Sequence, residues 1–107
     1  MSRQAFYDFG RTTFSNYIWI SGGFAFFNPR HIDIEKITNQ PMTLEIYDSQ
    51  DKYQGKRSFP KGYHWQSANL SGLPRGKRYK LKLINSGSGT VQLLQGQLAY
   101  EQLLTAA

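Results

Sequence analysis

The sequence predicts an all-β fold: an antiparallel β-sandwich of about eight strands in a single domain. Three observations predict it. Apolar and polar residues alternate with period two in several short runs, as in strands that bury one face. Turn-forming residues punctuate those runs at intervals of roughly 8–12 residues, the cadence of a sandwich or a barrel. Aromatic residues, which favour strands, make up 15% of the chain, with seven Tyr, seven Phe and two Trp.

The elements follow in order. A short first segment covers residues 5–9. Residues 12–20 contain "NYIWI", with Ile18 and Ile20 on one face and Tyr17 and Trp19 on the other. "SGG" turns the chain into 23–27, and "NPR" ends that strand. "HIDIEKI" supplies a strand at 32–37, with Ile32 and Ile34 opposed to Asp33 and Glu35. After "NQP", "MTLEIYD" supplies 42–48, with Leu44 and Ile46 against Thr43, Glu45 and Tyr47. "DSQD" leads to 54–59 and "FPKG" to 63–70. In the latter Tyr63 and Trp65 share a face and His64 points away. "SGLPRG" precedes 78–85, where Tyr79, Leu81 and Leu83 oppose Arg78, Lys80 and Lys82. "NSGSG" precedes 90–101. There the Leu93–Leu94 pair breaks the alternation and Gly96 follows, which predicts a bulge or bend. The tail "EQLLTAA" is expected to form a short helical turn or to fray.

A chain of 107 residues with 39% hydrophobic and 19% charged residues fits one folded domain with a real core. It has no cysteine, which excludes a disulfide scaffold and a thiolate zinc site. No apolar run approaches the roughly 20 residues of a membrane helix, so no membrane span is expected. "MSRQAFYDFG" lacks a charged-then-apolar signal pattern. The expectation is a secreted protein in its mature form, although a cysteine-free chain suits the cytosol equally.

The net charge of +6 is unevenly spread. Residues 1–51 carry four basic and six acidic side chains, whereas residues 52–100 carry nine basic and no acidic ones. Such a basic half attracts polyanions unless neighbouring strands neutralise it. Lys80 and Lys82 lie on a polar strand face, and so do Asp33, Glu35 and Glu45. The expectation is that these pair across one solvated sheet face. Arg75, Lys77 and Arg78 belong to the "LPRGKR" turn, with no acid nearby in sequence, and have two readings: ordinary solubilising loop charges, or a set free to grip anionic groups. Lys52, Lys56, Arg57 and Lys61 form a second basic group.

The candidate ligand-binding residues are therefore Tyr17, Trp19, Tyr63, Trp65, Arg75, Lys77 and Arg78. Each aromatic pair has two readings: rings in the core, or exposed rings on which a sugar or a base stacks. Catalysis finds little support. His31 and His64 show no metal spacing and adjoin no nucleophile motif. Asp48 and Asp51 fit a hairpin turn better than a cation loop. The glycines of "GSGTVQ" join two strands instead of opening a helix. No cofactor, metal or catalytic residue is expected.

One resemblance adds to this reading. "LEIYDSQDKYQGKRSF" followed by "LSGLPRGKRYKLKLINSGSGTVQLLQGQLAY" resembles the jelly-roll accessory domains of the bacterial pre-peptidase C-terminal type, over residues 42–100. Leu44, Ile46, Tyr47, Asp48, Leu73, Gly76, Tyr79, Leu81 and Leu83 carry it. The likeness implies a jelly-roll sandwich serving as an extracellular binding or processing module. "NQPM" stands where that pattern has an acidic pair, so calcium binding is not carried over.

The leading functional expectation is a non-enzymatic module that recognises a polysaccharide or another polyanionic cell-envelope surface. Its aromatics would stack and its basic turn would grip. A second class is a β-barrel that binds single-stranded nucleic acid. A third is a structural or toxin-like subunit of a secreted or phage assembly, forming oligomers through exposed edge strands.

Overall fold

The computed structural model describes residues 2–62 and 64–103. It contains β1 (Ser2–Phe9), β2 (Thr12–Phe14), β3 (Tyr17–Trp19), β4 (Phe26–Phe27), β5 (His31–Lys36), β6 (Met42–Asp48), β7 (Tyr53–Phe59), β8 (His64–Asn69), β9 (Arg78–Asn85) and β10 (Val91–Leu103). They form two antiparallel sheets. Sheet A runs β1-β10-β5-β8, with β2 also on β10, and sheet B runs β3-β9-β6-β7, with β4 also on β9. Counting β1–β2 and β3–β4 as interrupted ribbons leaves eight ribbons in the orders 1-8-3-6 and 2-7-4-5. That is the double Greek key of a jelly roll, an open sandwich and not a closed barrel.

Period-two alternation fixes the inner faces. Ile32, Ile34, Leu93 and Leu98 point inward from sheet A, and Leu44, Ile46, Tyr79, Leu81 and Leu83 from sheet B; all are at most 1% exposed. Fully burying one such aliphatic chain contributes about 1.5–3 kcal/mol. The Tyr79 hydroxyl escapes the penalty of burial by donating to Pro74 O at 2.8 Å.

Several sequence expectations need correction. Residues 12–20 are not one strand: β2 pairs in sheet A and β3 in sheet B. The chain crosses at Ser15–Asn16, and Asn85 Nδ2 fixes the crossing by donating to Ser15 O at 3.0 Å. Residues 20–23 form a 3-10 turn with Ser21, Gly22 and Gly23 at positive φ, so only Phe26 and Phe27 remain of the expected 23–27 strand. At the C-terminus Glu101–Leu103 continue β10 and are not helical, because each pairs with β1; residues 104–107 lie outside the described residues. The irregularity expected near Leu94 is present as a register shift between Leu93 and Gln95. "DSQD" is a turn: Asp48 Oδ1 accepts the amides of Gln50 and Lys52 at 2.8 and 2.9 Å. These bonds, that from Lys52 foremost, hold the Asp48 carboxyl below its usual range.

The expected charge pairing also changes. Asp33 and Glu35 belong to sheet A, whereas Lys80 and Lys82 belong to sheet B. All four point outward, so the full thickness of the sandwich separates the acids from the lysines. Alternation assigns a residue to an outer face, but it does not say which sheet owns that face. Of the three acids expected to pair with the lysines, only Glu45, in register with Lys82 and Lys56, shares a face with them.

Candidate functional site: a polar trough on sheet A

The outer face of sheet A is built by register. Asp8, Gln97, Asp33 and Ser67 stand opposite one another across β1, β10, β5 and β8. One row along, Gln95, Glu35 and Trp65 do the same. The polar groups bond sideways. Gln97 Nε2 donates to Asp8 Oδ1 at 2.8 Å, Gln95 Nε2 to Glu35 Oε1 at 2.9 Å, and Ser67 Oγ to Asp33 Oδ1. His31 Nδ1 lies 3.4 Å from Asp33 Oδ2.

Above this floor lie two adjoining depressions of about 430 and 460 Å³ that share Asp33 and Ser67. Together they make one trough. Trp65 bounds it at the β8 edge and is 52% exposed. Phe9 reaches the other rim, its ring lying where a side chain on Gly96 would project.

Carboxylates accept hydrogen bonds, side-chain amides both donate and accept, and a hydroxyl does either. With a flat ring at the edge, this is the equipment that recognises hydroxyl-rich ligands: polar atoms meet the hydroxyls and the ring covers a C–H face. Asp8, Asp33 and Glu35 outnumber Arg30, the one lysine or arginine among the described residues lining the trough, so the face keeps a modest negative potential, which disfavours anions.

Of the described residues among those expected to bind, Trp65 alone lies in this trough. Tyr63 falls outside the described residues. Tyr17 and Trp19 are on the outer face of sheet B, where Lys82 Nζ lies 4.1 Å from the Tyr17 ring centre and 5.3 Å from that of Trp19. The two tryptophans thus occupy opposite faces of the sandwich. The basic turn is not a free clamp either. Arg75 donates to Leu73 O at 2.9 Å, and to Pro29 O and Leu70 O at 3.1 Å, so its guanidinium ties the turn to the sandwich. Arg78 donates to Ala25 O at 3.4 Å and lies 5.8 Å from the Phe27 ring centre. Lys77 is exposed just before β9. The sequence reading missed Asp8, Ser67, Gln95 and Gln97. Their signal is the outward phase of each strand, which becomes a site only once the strand partners are known.

Lys36 is a further surprise. It is 2% exposed at the end of the inner face, and its ammonium donates to Pro60 O at 2.9 Å. Burial lowers its pKa from 10.5.

Among the described residues no group of three or more His, Cys, Asp and Glu side chains is placed to hold a metal, and no helix is long and apolar enough to cross a membrane. Neither the protein-family models nor the curated proteins compared with the chain give a match.

Proposed function

We propose that this protein is a non-enzymatic sugar-binding module whose sheet A trough takes a stretch of neutral polysaccharide. One observation carries the reading: Trp65, half exposed, stands in register with Glu35 and one row from the Asp33–Ser67 pair, at the edge of an open trough. Sugar rings stack on the indole while carboxylates and amides order their hydroxyls. The negative floor selects uncharged chains over uronate-rich or sulfated ones. The resemblance over residues 42–100 to extracellular accessory domains supports the same role, at or beyond the cell envelope. An open trough leaves much of the ligand solvated, so binding to short chains is weak and rises with chain length.

The test is titration calorimetry with soluble neutral glucans, mannans and chito-oligosaccharides. At least one of them binds, Trp65→Ala weakens that binding roughly tenfold or more, and no reducing ends are released. Failure of every neutral chain to bind the folded protein, or binding indifferent to Trp65→Ala, contradicts the reading.

A further inference from the structure

The outer face of sheet B has a different chemistry. Arg78, Lys80 and Lys82 project from alternate positions of β9, about 7 Å apart along the strand. Aromatic rings flank this basic stripe on both sides. Tyr17 and Trp19 stand on β3, Tyr47 on β6 and Tyr53 on β7. Tyr17 and Tyr53 are 50% and 53% exposed. Lys56 adds a cation on β7.

Two acids of this face, Glu45 and Asp51, offset part of that charge and leave a positive surplus. Glu45 stands in register between Lys82 and Lys56, yet its Oε1 accepts the Tyr47 hydroxyl at 2.6 Å. Among the described residues the one pairing of a lysine or arginine with a carboxylate within 4.0 Å is Lys80 with Asp51, at 2.7 Å. Asp51 is itself exposed, and a bridge in water holds its lysine weakly.

We propose that this face is a second binding surface, for single-stranded nucleic acid, independent of the trough on sheet A. A cationic track for the phosphates with rings beside it for the bases is how single strands are held without sequence readout. The ring geometry favours a nucleic acid over an acidic polysaccharide. Trp19 and Tyr47 are inclined at 56°, and Tyr47 and Tyr53 at 73°. A stiff ribbon of linked sugars stacks best on rings near one plane, whereas each base turns on its own backbone torsions to meet a tilted ring. The net charge of +6 favours a polyanion over a second copy of the chain, which it repels.

The test is fluorescence anisotropy with a fluorescein-labelled 12-nucleotide oligothymidylate, in parallel with heparin and with sedimentation of the protein alone. The oligonucleotide binds at 50 mM salt. Its affinity falls with a log–log salt slope of roughly −2, the value for about three phosphate contacts. Lys80→Gln combined with Lys82→Gln weakens binding at least about tenfold, more than the same loss of charge in Arg3→Gln combined with Arg11→Gln, away from the face. Asp51→Asn keeps a residue that tolerates its positive φ of 64° while it releases Lys80, and tightens binding several-fold. Three results overturn the proposal: no salt-dependent binding by the folded protein, capture of heparin but not the oligonucleotide, or self-association that the same lysine substitutions abolish. None of them bears on neutral-glycan binding at Trp65.

Discussion

The Tyr47 hydroxyl donates to Glu45 at 2.6 Å, although Glu45 stands between two lysines in the sheet register. The bond, with burial and the carboxylate charge behind it, pushes the Tyr47 pKa from 10.0 to about 12. The folded state therefore keeps a proton that the unfolded chain has lost. The stability this contributes is complete below pH 10 and drains away as the pH rises toward 12. Glu45→Gln keeps an acceptor but removes the charge. In a tyrosinate absorbance titration it brings one late-titrating tyrosine back toward 10 and leaves buried Tyr79, also raised, unchanged, whereas an unchanged titration contradicts the assignment.

Lys36 carries a linkage of opposite sign. Its folded pKa lies below 10.5, so between the two values the unfolded chain binds the extra proton and stability rises with pH. In Lys36→Met the charge is gone, and Pro60 O still receives Gln66 Nε2 at 3.1 Å. That variant is expected to be more stable at pH 7 by about 1 kcal/mol, an advantage that shrinks as the pH approaches 10.5. Thermal melts of both proteins at pH 7 and 9.5 check this, and a Tm below wild type at pH 7 contradicts it.

Arg75 is a structural clamp. Its three donors reach carbonyls at Leu70 and Leu73, just before it in the chain, and across to Pro29. Lysine cannot reproduce that fork. Arg75→Lys is expected to cost about 2 kcal/mol, a Tm loss of roughly 10 °C, with little dependence on salt. A Tm within a degree or two of wild type returns the guanidinium to the pool of free surface charges.

Gly96 is glycine for want of space. A Cβ there would lie 2.2 Å from Phe9 Cζ, so Gly96→Ala drives the ring away from both the core edge and the rim of the trough. The expected cost is about 1–3 kcal/mol, recovered in part by adding Phe9→Leu. Chemical denaturation of the single and double variants measures it.

The fold was readable because its cause is local. Ile32 and Ile34, or Leu81 and Leu83, declare an inner face by spacing alone, and the turns between strands declare themselves by residue type. The site was not readable because its cause is pairing. Asp33 meets Ser67 34 residues away, and Gln97 from a third strand, through a register that no short window contains. The same gap misplaced the charges: Asp33 and Lys80 each read correctly as outward, but from opposite faces. Trp19 and Trp65 looked alike in sequence and belong to chemically different surfaces. Lys36 kept the inward phase of Ile32 and Ile34 inside the expected 32–37 strand, but nothing in that spacing says that its ammonium finds Pro60 O.

That separation of the tryptophans offers the most direct measurement. The chain has two tryptophans, one on each face, so Trp19→Phe and Trp65→Phe each leave a single reporter. Emission from both variants is followed during titration with a neutral glycan that binds the wild type, and then with oligothymidylate. The glycan is expected to change the emission of Trp65 alone and the oligonucleotide that of Trp19 alone. A glycan response from Trp19, with Trp65 silent, would contradict it.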